Sequence, residues 1–461
     1  MTLQRSTGSA MTFDLSLAAF RYGYGLPQPA GAPDSVPAML DALAQPDRAA
    51  GDHPIVPLSE VAPLMQDFVT RRRAYAKNTG TEAELNAAKR ALAFPMIFAG
   101  RATIARALSS PDGLRERLVA FWSDHFTTAA RDGVSRFLPF ALMEEAIRPH
   151  LTGRFADMLT AVTLHPAMLI YLDQRYSFGP ASRLGLDRGR GLNENLAREL
   201  IELHTLGVGA PYTQDDVRQM AELLTGVTIN KDYEMIFAPG RAEPGSETVL
   251  GQDYDGKGLE PVRSVLADLA ARPETAAHLA RKLAAHFVAD TADPDLTDAL
   301  TVSYLATGGD LRAVYATLLN HPAAWAPEAG KARQPYDFMV AALRGLDIGA
   351  GDLMRMAPGP FDRMIVRPMG AMGQPLRAAP GPDGWPEAAE AWITPQGLAA
   401  RITWAMEVPG RLVTPLPNPV DLAQRALGDR AGERLLWAVA RAENRREGVG
   451  LVLASPEFNR R

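Results

Sequence analysis

The stretch NENLARELIELHTLG at residues 193–207 sets Asn195, Arg198, Glu199 and Glu202 at spacings that an α-helix gathers onto one face. Two carboxylates beside an amide and a guanidinium suit a hard cation, or general acid and base work in which crowding raises one carboxyl pKa. A plainer reading is open as well: Glu194, Arg198 and Glu202 form i,i+4 pairs on a solvated helix face. His204 follows Glu202 and Glu199 by two and five residues, which on a regular helix turns its ring roughly 160° and 140° away from them. It shares a face with Asn193, Leu196 and Leu200 and reads as a hydrogen-bonded core histidine. Neither the Glu-x-x-His spacing of di-iron helices nor the zinc motif HExxH occurs here.

A second group surrounds FWSDHF at 121–126. Trp122 and His125 share a helical face with Leu118, and Asp124 is adjacent in sequence. That face is mainly apolar, so packing accounts for it, with His125 bonded to a backbone carbonyl or a carboxylate. Glu145, Arg148 and His150 close the next helix, whose negative end favours Arg and His. Asp173 and Asn193 bracket a Gly-rich loop, and Asn193 is suited to cap the helix that follows. Thr213 with Asp216 forms an acidic variant of a capping box. The candidate catalytic residues are therefore Glu199, Glu202 and His125, and the candidate binding residues Asn195, Arg198, Arg148, His150 and Trp122. Any metal or cofactor is left unassigned. A phosphate loop, a GxGxxG run and a GxSxG elbow are all missing.

The elements that must hold these residues are helical. Apolar residues recur at three and four residue spacings over 83–108, 114–126, 137–147, 196–206, 217–224, 276–288, 311–319 and 430–442. The best strand segment is VTINKDYEMIF at 227–237, expected to pair with residues near 248–250. Gly and Pro gather at 23–37, 177–191, 239–261 and above all 356–395, too long for an ordinary connection and readable as a lid or a packed irregular arm. The expected fold is mainly α, one large multi-helix core with long Pro/Gly-rich loops and at most a small β-hairpin. One domain is expected over 12–461, after a disordered polar leader at 1–11 with Met11 as an alternative start.

With 47% apolar and 22% charged residues the chain can bury a substantial core. Its net charge of −5 gives no overall positive field, which argues against nucleic-acid binding. The absence of cysteine excludes disulfides and thiolate chemistry. Arg5 is followed by no continuous apolar core with a cleavage site, and a membrane-spanning run is not expected either, so the cytoplasm is the default location.

NENLARELIELHTLGVGAPYTQDDVRQMAELLTG at 193–226 resembles the hallmark of the bacterial family catalogued as domain of unknown function 1800. FRYGYG at 20–25, FWSDHF, EEAIRPHLTGRF at 144–155, HPAMLIYLD at 165–173, LARKLAAHFV at 279–288, GGDL at 308–311, GQP at 373–375, GWP at 384–386 and SPEF at 455–458 match the same pattern in the same order. The resemblance implies a helical fold without an established activity, in chains often exported and encoded beside a sulfatase-like protein. It also implies a histidine and a lysine where this chain has Ala242 and Glu247, and a tryptophan where it has Val227. Two functions are weighed. One is a binding or assembly protein with a buried polar ion-pair network; the alternative is an enzyme, hydrolytic or metal-assisted, with a carboxylate-bearing pocket in the helical core. A sulfatase-like protein is the partner that the resemblance suggests.

Overall fold

A computed structural model describes residues 13–327 and 330–461, so the expected leader at 1–11 lies outside the described residues. Helices account for 63% of the residues and strands for 4%, which makes the fold mainly α. The longest helix, Glu82–Ser109, opens with a capping box from Thr81 and Glu84. An 18-residue window of it is long and apolar enough to cross a membrane, and 67% of that window is buried against the rest of the chain.

Apolar side chains collect in two clusters. The larger takes in most helices up to Trp325; the smaller holds the C-terminal helices from Phe338 onward. The Glu82–Ser109 helix feeds both, giving Leu92, Ala99 and Ala102 to the first and Ile104, Ala105 and Leu108 to the second. Leu376, from the Pro/Gly-rich segment, also packs against both.

The strands depart from the expected pairing. Residues 227–237 fold on themselves, β1 (Val227–Ile229) against β2 (Met235–Phe237), because Asn230 Oδ1 accepts the N–H groups of Asp232 and Glu234 and turns the chain. β3 (Glu247–Val249) pairs instead with β4 (Gln252–Tyr254). Leu250 and Gly251, both at positive φ, make the two-residue turn between them, and that geometry matches the twist of a hairpin.

The helix that matters most for the interior is Gly113–His125. Its Arg115, Glu116 and Arg117 are 7%, 5% and 1% exposed, so each must find a counter-charge. Glu116 receives both guanidinium nitrogens of Arg148 at 2.9 Å, and Arg148 also reaches Asp47 at 2.6 Å. Arg106 holds Glu144 through two bonds of 2.5 and 3.0 Å, and Glu144 lies 3.4 Å from Arg148 Nε. A buried ion-pair network thus joins Arg106, Glu144, Arg148, Glu116 and Asp47, and not the 193–207 segment where one was expected.

Removing one partner of a buried pair strands the other charge. Arg148→Ala is expected to cost roughly 3–5 kcal/mol, read as a lower urea midpoint, whereas an unchanged midpoint would show that the network contributes nothing.

Candidate functional site

The helix carrying the sequence candidates is not regular. Asn195–Glu199 is α-helical, and Leu200–Thr205 is a π turn in which Leu206 N–H bonds Ile201 C=O. The rotation worked out for a uniform α-helix therefore does not carry across Leu200. His204 is nonetheless 1% exposed, its ring 5.2 Å from Phe126 and 6.2 Å from His125, so it packs inward. Its Nδ1 is buried with no hydrogen-bond partner, against the expected bonded core histidine.

Of the polar face, Asn195 is exposed, and Arg198 bonds Glu194 and Gln214 rather than the Glu199 and Glu202 pair. Glu199 is partly buried; burial, helped by Glu202 and opposed by Arg198, raises its carboxyl pKa, and Asp383 adds to the rise. Glu202 accepts from the Tyr212 hydroxyl. Asn193 takes Asn195 N–H on its Oδ1, as a helix-start residue should.

The second group separates. Trp122 is fully buried and donates Nε1–H to Tyr315 Oη at 2.6 Å, a packing role. His125 bonds the His204 carbonyl at 3.2 Å. Arg148 is spent on its three carboxylates, and half-buried His150 ends the 148–150 turn with its carbonyl accepting Gly153 N–H.

Asp124 is what opens onto empty space. A cavity of about 90 Å³, room for several waters or a small ligand, lies between the Gly113–His125 helix and residues 374–385. Arg117, Ser123, Asp124, His286, Tyr336 and Arg377 line it. Trp385 N–H donates to Asp124 Oδ1 at 2.9 Å, closing the wall. Gly384 makes this approach possible: its φ is +83°, and a Cβ there would stand 2.7 Å from the Asp124 carbonyl oxygen.

Electrostatically the cavity is uneven. Burial pushes the Asp124 carboxyl up to about 7, although Trp385 N–H and Lys282 favour its charged form. Burial lowers Lys282 in turn, against Asp124, Glu387 and Asp383. Arg117 is locked to Asp337 at 2.6 Å. His286 donates Nδ1–H to Glu387 at 2.6 Å and faces Arg117, a donor only, with Nε2, so its ring is neutral and held in one tautomer. Burial would raise Glu387, but His286 and Lys331 hold it well below the carboxylate range. Arg377 differs from all of these. It sits at φ +53°, its guanidinium donates to the Met143 sulfur at 2.7 Å, and it makes no ion pair among the described residues.

A model of the DUF1800 family, described as proteins of unknown function, matches residues 20–460. The chain belongs to the DUF1800 family. No curated protein and no solved structure gave a match. In this DUF1800 chain Val227 is buried in β1, and Glu247 in β3 is pushed up to about 7 by burial, then by Glu222 and Glu243.

The cavity residues gave only partial signals in the sequence. Arg117, Ala120 and Asp124 lie at helical spacing on one face, and GQP and GWP supply Gln374, Pro375 and Trp385 to the opposite wall. Arg377, between those motifs, carries no pattern of its own. Among the described residues no three His, Asp or Glu side chains are grouped to hold a metal ion.

His125, His204 and His278 form a neutral cluster beside Lys282. Burial, then the Lys282 charge, lowers His204 to about 3 and His278 to about 4 from an ordinary 6.5. Below 6.5 the unfolded chain takes up these protons first, so stability is lost as the pH falls towards 4. The urea midpoint is expected to drop between pH 7 and pH 5 and to drop less in His278→Gln; equal drops would show that the cluster is not the cause.

Proposed function

We propose that this protein binds a small anionic ligand in the cavity beneath residues 374–385, with Asp124 exchanging a proton with it. The observation that carries this reading is one cavity lined both by the Asp124 carboxyl, which burial pushes up, and by the Arg377 guanidinium, which makes no ion pair among the described residues. An anion beside Arg377 would offset the desolvation that burial imposes on that charge. Asp124, near half-protonation at neutral pH, would be able to accept or donate a proton at the ligand's other end. Glu199 and Glu202 lie outside this cavity. Asp383 links the two regions, as an electrostatic neighbour of Glu199 and of Lys282.

A second reading, a binding or assembly protein ordered by buried ion pairs, is favoured by the Arg106–Glu144–Arg148–Glu116–Asp47 network. That network braces the helix forming one cavity wall, so it supports ligand binding as readily as assembly.

A ligand at about a hundredfold its Kd adds about 2.7 kcal/mol of stability, enough to register as a rise in Tm. Small carboxylates, phosphates and neutral sugars, screened singly, are expected to include an anionic class that raises the Tm of the wild type. Ala120→Leu, which fills the cavity, and Arg377→Met should abolish that rise while keeping the helical circular dichroism. If no class separates wild type from these variants, the cavity is not a ligand site.

A further inference from the structure

Away from the cavity, an open groove of about 720 Å³ runs between residues 175–190 and the β1–β2 hairpin. Arg175, Arg188, Arg190, Lys231 and Arg241 line it, and no Asp or Glu does. In a chain of net charge −5 this is a local reversal of sign. None of the five makes an ion pair among the described residues, although Asp187 adjoins Arg188 in sequence.

Two of the cations are fixed in place. Arg241 donates to the Arg175 carbonyl at 2.8 Å and to Thr228 Oγ1 at 3.1 Å, and its guanidinium lies 4.5 Å from the centre of the Phe178 ring. Arg175 lies 4.7 Å over the ring of Tyr176, which is 60% exposed. Burial, with the like charge of Arg188, disfavours the charged form of Arg241, and a bound anion would relieve both. Guanidinium groups held on aromatic faces lose little freedom on binding and present paired donors that match phosphate or carboxylate oxygens.

We propose that this groove binds a soluble ligand carrying two or more oxyanion groups, either phosphates or carboxylates. Five cations without a carboxylate among them exceed what one anionic group would engage. The groove is distinct from the cavity in lining and in openness, so one ligand does not occupy both.

Titration calorimetry with tripolyphosphate and, separately, citrate tests the proposal on the full chain. The wild type is expected to bind at least one probe, more weakly as salt rises. Tripolyphosphate alone would identify a phosphate ligand, and citrate alone a carboxylate one. Arg188→Ala with Arg190→Ala, both exposed positions, should weaken binding by about tenfold or more, as loss of charge-assisted bonds does, with Tm unchanged. Ala120→Leu should leave this binding intact, which separates the groove from the cavity. Failure of both probes to bind, or equal binding by the doubly substituted chain, would overturn it.

Discussion

Nearly everything in the interior follows from burying one charged helix. Gly113–His125 carries Arg115, Glu116 and Arg117 into a space where an isolated ion is prohibitively costly, and sets Asp124 on the wall of the cavity. Each charge is answered by a different part of the chain. Arg115 pairs with Asp112 and donates to the carbonyls of Ala42, Leu43 and Gln45; Glu116 takes Arg148; Arg117 takes Asp337; Asp124 takes the Trp385 N–H. The helix is thus a hub that fixes how residues from 42 to 385 converge. Its bonds specify an arrangement more than they add net stability, since buried pairs roughly repay their own desolvation.

Asp124 is the member whose need is least fully met. The Trp385 N–H, the desolvated Lys282 and Arg377 favour its charged form, yet burial, with Glu387, keeps its carboxyl at about 7. The irregular stretch from Gly373 to Glu387 is shaped around this point, with Gly384 against Asp124 and Glu387 on His286 and Lys331. Of the segment expected to be a lid or a packed irregular arm, residues 358–371 are helical and 373–387 form the packed arm, held by Trp385 on Asp124 and by Glu387 on His286 and Lys331.

The helices were legible from apolar period and caps. Thr213 and Asp216 form the reciprocal bonds expected of them, and Asn193 holds Asn195 N–H. Three features were not legible, each for a physical reason. The π turn at Leu200–Thr205 leaves the apolar spacing almost unchanged while altering which side chains stack. The hairpins were misjudged because turn geometry, set by Asn230 and by Leu250 with Gly251, decides pairing more than strand composition does. The site itself hid in long-range contacts, since Asp124 looks like a helix-end charge until Trp385 and Arg377 arrive from some 250 residues away. Glu199 and Glu202 drew notice because their spacing is local, and local spacing is what one sequence displays best.

The chemistry of the cavity depends on Asp124 being a carboxyl whose burial favours its neutral form. Its folded pKa of about 7 stands above the ordinary 3.8, so the stability it contributes is full below about 4 and is lost as the pH rises through 7. Asp124→Asn cannot ionise and escapes that loss. The decisive measurement is the difference in urea midpoint between Asp124→Asn and the wild type from pH 4 to pH 8. The account predicts that the variant gains on the wild type as the pH rises and that the gap flattens only above about 7. A gap that stays constant over that range, or closes as the pH rises, would contradict it.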